Sequence, residues 1–355
     1  MNSLTALFLS TFFTELGCKS GSSKMPTRKL GRTDLSVSLL GFGCGQLKDK
    51  DVYIRAVEMG INYFHMAVLE PGYNLHASEA LRPYRAKLNI AHTSHAVPSK
   101  NLFLKDLDSF LRQSHFDNLD IWFALTPKPE ELVEFNEAVC IARKAGKIRW
   151  AGISSHSLGR DVIPVTSSDS QIDVVMMAYN YLSTLEDREI LNKFHQAGLG
   201  IIPMKPLAGK FYQKSTDNPA PLIRWLASDT RIHTLPISMN LIFQVEQNAA
   251  TIMQTFSKED RDILQDLYSY NSSRFCRMCG SCEGKCPHGL AISDLIRTSM
   301  YVEGYQDKQL AVANVSLIPE NKRMISCDSC EKCAVICPNG VAVKELVSIM
   351  KKWLA

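Results

Sequence analysis

Eight of the eleven cysteines in this 355-residue chain fall between positions 276 and 337, in two copies of one spacing. The first copy is Cys276-x2-Cys279-x2-Cys282-x3-Cys286-Pro287, and the second is Cys327-x2-Cys330-x2-Cys333-x3-Cys337-Pro338. Three thiolates two residues apart wrap one face of an iron–sulfur cubane, while the fourth, set off by three residues and followed by proline, turns away toward a partner cluster. The spacing therefore predicts two 4Fe-4S clusters, one held by Cys276, Cys279, Cys282 and Cys337, the other by Cys327, Cys330, Cys333 and Cys286. Zinc sites use cysteine in pairs and have no use for a third and fourth at this spacing. Disulfides would not bunch in two identical runs.

The 40 residues between Cys286 and Cys327 carry helical patterns over Ile292 to Val302 and Lys308 to Val312. These point to an α-helical ferredoxin-type domain rather than a compact β form. It follows a linking helix near Lys258 to Tyr270, so residues 258–355 are read as linking helix plus cluster domain. Of the remaining cysteines, Cys140 lies in a helical pattern (Pro129 to Ala145) and is expected to be a small buried residue.

Residues 25–257 read differently. Short apolar runs alternate with amphipathic stretches, the pattern of βα units around a parallel sheet. Strands are expected at Leu39 to Gly43, Tyr63 to Ala67, Leu88 to Thr93, Asp120 to Leu125, Arg149 to Ser154, Val174 to Tyr179, Gly200 to Met204 and Thr234 to Pro236. Eight strands, with helical patterns such as Thr184 to Gln196 and Leu241 to Phe256 between them, fit a (β/α)8 TIM barrel. A doubly wound sheet would carry a Gly-rich phosphate turn, whereas Gly41-x-Gly43-x-Gly45 lacks the third glycine at the required spacing. Those glycines are expected to serve close packing at the barrel mouth.

An apolar fraction of 45% supports a packed core, and 40 Lys+Arg against 36 Asp+Glu is too mild and too evenly spread to indicate nucleic acid as a partner. The apolar run Leu4 to Phe13 is shorter than the ~20 residues of a membrane span, so no transmembrane segment is expected. Residues 1–24 read as an extension ahead of the fold, which begins at Met25. Cys18, in Leu16-Gly17-Cys18, is the one residue at which a lipid anchor is conceivable, but Glu15 and the lack of a basic residue before the run argue for a cytoplasmic protein.

The stretches Arg28-Lys29-Leu30-Gly31-Arg32-Thr33, Gly146-Lys147-Ile148-Arg149-Trp150-Ala151-Gly152-Ile153-Ser154, Met204-Lys205-Pro206-Leu207-Ala208-Gly209 and Gln244-Val245-Glu246-Gln247-Asn248 resemble the aldo/keto reductase family. With the cysteine tail, the chain looks like the branch of that family carrying C-terminal iron–sulfur clusters. The resemblance implies NAD(P)H-dependent carbonyl reduction by an Asp, Tyr, Lys and His tetrad at the C-terminal ends of the strands. It places His65 at the Asp position, Tyr73 at the Tyr position behind an insertion (Leu69, Glu70, Pro71), Thr93 at the Lys position and Leu125 at the His position. The tetrad is thus largely lost, with Tyr73 and His65 as the candidate catalytic pair and His65 a proton donor titrating near neutrality. By the same resemblance Ser154 and Tyr179 meet the nicotinamide, and Gln244 and Asn248 the adenine end, with Asn240 where an Arg often binds the 2'-phosphate.

Two functions follow. The chain is an iron–sulfur oxidoreductase whose clusters carry electrons to or from a small organic substrate in the barrel, with or without a nicotinamide. Alternatively its barrel is catalytically degenerate and serves as an electron-transfer subunit or docking body for a redox partner protein.

Overall fold

The computed structural model describes residues 24–45, 47–67, 75–95, 97–125, 128–156, 170–210, 218–323 and 330–354. The first described element is a hairpin, β1 (Thr27–Lys29) and β2 (Ser36–Ser38), pairing antiparallel from Thr27↔Ser38 to Lys29↔Ser36. Eight parallel strands follow: β3 (Leu40–Cys44), β4 (Tyr63–Ala67), β5 (Asn89–His95), β6 (Leu119–Leu125), β7 (Ile148–Ser155), β8 (Val174–Ala178), β9 (Gly200–Met204) and β10 (Leu235–Ile237). They form one sheet in the order β10-β3-β4-β5-β6-β7-β8-β9. The seam between its ends is bridged by His233, whose N–H donates to the Ile201 carbonyl at 3.0 Å while its Nδ1 accepts from the Ile201 N–H at 3.0 Å. The expected TIM barrel is therefore present.

The outer helices are α1 (Lys50–Glu58), α2 (Leu75–Leu81), α3 (Lys100–Ser114), α4 (Pro129–Lys144), α5 (Leu185–Gln196), α6 (Ala220–Ser228) and α7 (Ile242–Thr251). Their starts are written locally: Asp49 caps α1, Ser99 caps α3, and Thr184 with Asp187 forms a capping box on α5. Strand alternation sorts the core into two shells. Phe42, Phe64, Ile90 and Trp122 face the helices, whereas Tyr63, Ala91, Ile121, Phe123, Val174, Met176 and Ile202 fill the barrel interior.

The hairpin was not expected from the sequence. Leu30, Leu35 and Val37 join the interior cluster, so it plugs one end of the barrel. Gly31, at φ +52°, is pressed against the backbone of Leu199 and Gly200, where a side chain would collide. The plug closes the N-terminal end of the strands, because Leu30 abuts Gly200, the first residue of β9. Three further expectations are corrected. Gly41 and Gly43 do serve close packing, but inside the barrel, where a Cβ would meet Tyr63 and Thr234, or Ser238. Cys140 is exposed, because Leu132, Phe135, Val139 and Ala142 set the buried stripe of α4 and position 140 falls off it. The helical pattern of Leu241 to Phe256 stops at Thr251.

Helix α8 (Lys258–Asn271) leads out of the barrel, capped by Ser257 and tied to α6 by the Arg224 guanidinium, whose Nε donates to Asp260 Oδ2 at 2.8 Å. Beyond it lie α9 (Ile292–Glu303), α10 (Lys308–Ser316), α11 (Glu320–Arg323) and α12 (Val343–Leu354). The two cysteine runs end alike. Each Cys-Pro is followed by a glycine with positive φ, Gly289 at 70° and Gly340 at 72°, and then by α9 or α12. Leu295 and Ile296 of α9 pack with Leu346 and Val347 of α12, and five of the motif cysteines border that core.

Candidate functional site

Inside the barrel the parity of β4 and β5 brings two expected residues, His65 and Thr93, into one chain of hydrogen bonds with Tyr63, which the sequence did not single out. His65 Nδ1 is 3.3 Å from the Tyr63 hydroxyl and Nε2 is 3.0 Å from Thr93 Oγ1, with the ring tilted against Phe123. A neutral imidazole has one N–H and one lone pair, and two hydroxyls occupy both. Burial, with a smaller push from His92, holds the ring neutral by lowering its pKa to about 3. His65 therefore does not titrate near neutrality, which corrects its expected role as an imidazolium donor. His92, one residue from Thr93, faces the other way and stacks on Phe110 of α3 at 3.7 Å. Leu125 ends β6 with no group that can carry a proton. Tyr73 lies outside the described residues.

Of the four residues expected around a nucleotide, Gln244 and Asn248 share α7, whereas Ser154 and Tyr179 turn opposite ways. Ser154 is buried in β7 and points inward by alternation with Ala151 and Ile153, which join the outer shell. Tyr179 follows Val175 and Met177 on the outward parity; its ring stacks on Trp225 of α6 at 5.6 Å, and its hydroxyl lies 3.4 Å from Asp229 Oδ2. It cannot stack on a ring inside the mouth from that position. Gln244 turns back to cap α7, its Oε1 accepting from Asn240 N at 2.7 Å and Leu241 N at 3.3 Å, and Asn248 is buried one turn later. The sequence stretch around Arg149 serves the base of the barrel: Arg149 donates to Asp120 at 2.9 Å and to Asp34, and Asp120 accepts from the Ile90 N–H.

The cysteines form two groups. Cys276, Cys279, Cys282 and Cys337 line one cavity with Ile296 and Asn339. Cys286, Cys330 and Cys333 line a second with His288 and Val347. Cys327 lies outside the described residues. Burial pushes the Cys276 thiol up to about 12, and the neighbouring thiolates of Cys282, Cys279 and Cys337 add to it against the Met278 N–H. Four mutually repelling, partly buried thiolates need cations among them, so this donor set fits an iron–sulfur cluster. Donors surround the sulfurs: Met278 N–H to Cys276 Sγ at 3.3 Å, Asn339 Nδ2 to Cys279 Sγ at 3.6 Å, and the His288 ring 3.2 Å from Cys330 Sγ.

Barrel and cluster domain meet at the C-terminal ends of the strands. Ala178, Leu182 and Ala208 from the barrel share one buried cluster with Phe275, Met278 and Met300, and Cys276 packs on its edge. A Cβ on Gly209 would collide with Met300, and one on Gly304 with the Gly209 carbonyl. Just after β9, Lys205 donates to the Tyr301 hydroxyl of α9 at 3.3 Å and lies 4.8 Å from the center of its ring. Sequence reasoning passed over this pair, although both residues stand in segments it had singled out.

Residues 47–261 match the profile of the Aldo/keto reductase family. The chain belongs to that family. Residues 271–342 match the 4Fe-4S dicluster domain, so this aldo/keto reductase is an oxidoreductase of the branch with a C-terminal iron–sulfur domain. Solved structures agree on the barrel fold. An aldo-keto reductase from Bacillus halodurans, AKR11C1 in its holo form, is 23% identical with a TM-score of 0.60, covering 68% of this chain and 96% of that one. The thermostable aldo-keto reductase Tm1743 bound to epalrestat is 18% identical (TM-score 0.58, 68% and 100% covered). An aldo-keto reductase from Klebsiella pneumoniae in complex with NADPH is 19% identical (TM-score 0.57, 66% and 92% covered). Among the described residues, no helix is long and apolar enough to cross a membrane.

Proposed function

We propose that this aldo/keto reductase exchanges electrons between two 4Fe-4S clusters and a small organic substrate held at the C-terminal face of its barrel. The observation that carries the reading is the apposition just described, in which Cys276 borders the buried contact between Phe275, Met278 and Met300 and the barrel. A cluster domain tethered for another purpose would not need its first ligand against the face where TIM barrels bind substrate.

When bound, the clusters supply one-electron storage. In this reading Cys276, Cys279, Cys282 and Cys337 hold the cluster nearer the barrel, and Cys327, Cys330, Cys333 and Cys286 hold the outer one. The Met278 N–H and Asn339 amide, directed at the inner sulfurs, favour the more negative, reduced state. Ser154 and Asn248 remain the candidates for NAD(P)H, the cofactor named for the Klebsiella protein; Tyr179 drops out of that set because Trp225 covers its ring. Reduced thiols suit a cytoplasmic location.

Purified anaerobically, the holoprotein is expected to lose its broad visible absorbance when NADH or NADPH is added. Bleaching by dithionite but by neither nucleotide would defeat the nicotinamide route. A second reading, the barrel as docking body for a redox partner protein, has one observation in its favour. His65 is neutral and both of its nitrogens are committed to Tyr63 and Thr93.

A further inference from the structure

The segment after β9 is unusual in two ways. Lys205 and Ala208 adopt positive φ, 51° and 48°, in a stretch that also contains Gly209 at 60°. Side chains with a Cβ rarely occupy that region, and such strain persists where surrounding structure enforces it. Here the enforcing structure is α9, which drives Met300 and Gly304 against Gly209. The outcome is that the Lys205 ammonium sits beside the stacked rings of Tyr301 and Tyr305, 4.8 and 5.9 Å from their centers.

A tethered ammonium in such a place needs a counter-charge. Among the described residues the Lys205 ammonium has no carboxylate partner; its one hydrogen bond there is to the Tyr301 hydroxyl. The same hydroxyl accepts from Arg297 Nη1 at 3.3 Å. His156, at the end of β7, also feels both cations, and its low-polarity surroundings together with Lys205 and Arg297 keep it neutral. A phenol that accepts from two cations still has its own O–H to donate. Tyr301 is 7% exposed, and among the described residues nothing takes that proton.

We propose that Tyr301, gripped by Lys205 and Arg297 where the cluster domain meets the barrel mouth, is the proton donor of the barrel site. The pair of cations makes the same spot a seat for the negative charge that develops on a substrate carbonyl oxygen. The proposal rests on the oxidoreductase reading above. In the reducing direction a bound NAD(P)H would supply the hydride that the carbonyl carbon takes up. The C=O π pair moves to oxygen, and that oxygen takes the Tyr301 proton. The phenolate left behind is held by Lys205 and Arg297 until water reprotonates it. The appended domain thus brings a proton donor of its own to the barrel site.

The electrostatics run the right way. Burial pushes the Tyr301 phenol up, but the Lys205 ammonium and Arg297 guanidinium outweigh it and hold the phenol below its ordinary value. Burial, reinforced by Arg297, lowers Lys205 in turn against the pull of Tyr301. The charged and titratable groups around the phenol are Lys205 just after β9, Arg297 of α9 and Tyr305 beyond α9, with His156, next after β7, facing the two cations.

Two measurements on the anaerobic holoprotein test this. Ultraviolet titration of tyrosinate should find one phenol ionising below the usual value near 10. It should vanish in Tyr301→Phe, move upward in Lys205→Met and return in Lys205→Arg, with cluster absorbance intact in all three. No early-titrating phenol, or one that survives in Tyr301→Phe, overturns the proposal. The second measurement is NADPH oxidation with 4-nitrobenzaldehyde and with pyruvate. Tyr301→Phe should lower kcat by about 10²-fold or more with little change in KM, and remove the loss of rate at alkaline pH. An unchanged kcat overturns it. If the wild type turns over neither carbonyl, the oxidoreductase reading fails on its own, and the titration alone decides whether Tyr301 is a poised acid.

Discussion

The barrel and the cluster domain solve the burial of polar groups in opposite ways. The barrel meets its most buried carboxylates with its own groups: Asp120 is met by Ile90 N–H and Arg149, Asp173 by Arg32 and Arg143, and the seam is closed by His233. The cluster domain instead places cysteine thiols at the edge of its core, where Leu295, Ile296, Leu346 and Val347 pack around groups that repel one another when ionised. One fold answers its buried carboxylates with arginines and backbone N–H groups, and the other answers its thiolates with iron. The lesson is that two domains of one chain can depend on different variables: protons for the first, metal and oxidant for the second.

The largest expected effect follows directly. Stripping iron from the reduced protein with a chelator should melt the cluster domain, because metal-binding energy in such small domains is folding energy. Hydrogen exchange should lose protection across α9 to α12 while β3 to β9 keep theirs. Loss of protection throughout the barrel would erase the distinction.

The same contrast explains what could be read from the sequence. Cluster ligation demands fixed spacing along the chain, so the cysteine runs were legible residue by residue. Parallel strands buried on both faces are continuous apolar runs, so the barrel was legible too. The β1–β2 hairpin was not, since three-residue strands are too short for a period-2 signal. Tyr179 was placed at the nicotinamide by resemblance, and strand parity puts its ring in the helix layer against Trp225 instead. Lys205 and Tyr301 are 96 residues apart and meet only because two domains dock. No local pattern encodes that.

A second prediction sharpens the metal side. The holoprotein should contain about eight iron and eight sulfide. Cys337→Ala should cost the cluster of Cys276, Cys279 and Cys282, whose cavity Cys337 shares, and Cys286→Ala the cluster of Cys330 and Cys333. Iron analysis with electron paramagnetic resonance of the reduced variants distinguishes them. Loss of the cluster nearer in sequence would refute the crossed assignment.

The proton side is smaller but belongs to the barrel alone. Burial lowers His65 to about 3 and His233 to about 4, against about 6.5 in the unfolded chain. Both are neutral in the fold, so their contribution is complete above pH ~6.5 and is lost as pH falls toward 4, where the unfolded chain binds protons that the native one refuses. Each site should cost about 3 kcal/mol by pH 4. Urea unfolding followed by tryptophan fluorescence should show this slope, reduced in His233→Gln. A flat profile between pH 6.5 and 4.5 would mean these histidines ionise in place.

The smallest effect lies where the two regions touch. Gly304, at the C-terminal end of α9, has an ordinary negative φ of −84°, so alanine there meets no backbone strain. The added methyl would instead collide with the Gly209 carbonyl across the interface and with the Met300 carbonyl of its own helix. Overpacking of that kind typically costs about 1 to 3 kcal/mol. Because neither core is involved, barrel unfolding and iron content in Gly304→Ala should stay close to wild type. What should change is the link between them: α9 moves off the segment after β9, Tyr301 separates from Lys205, and bleaching of the clusters by nicotinamide slows while bleaching by dithionite does not. Equal rates in variant and wild type would mean that electrons do not pass through this contact, and the two regions would then be neighbors without being partners.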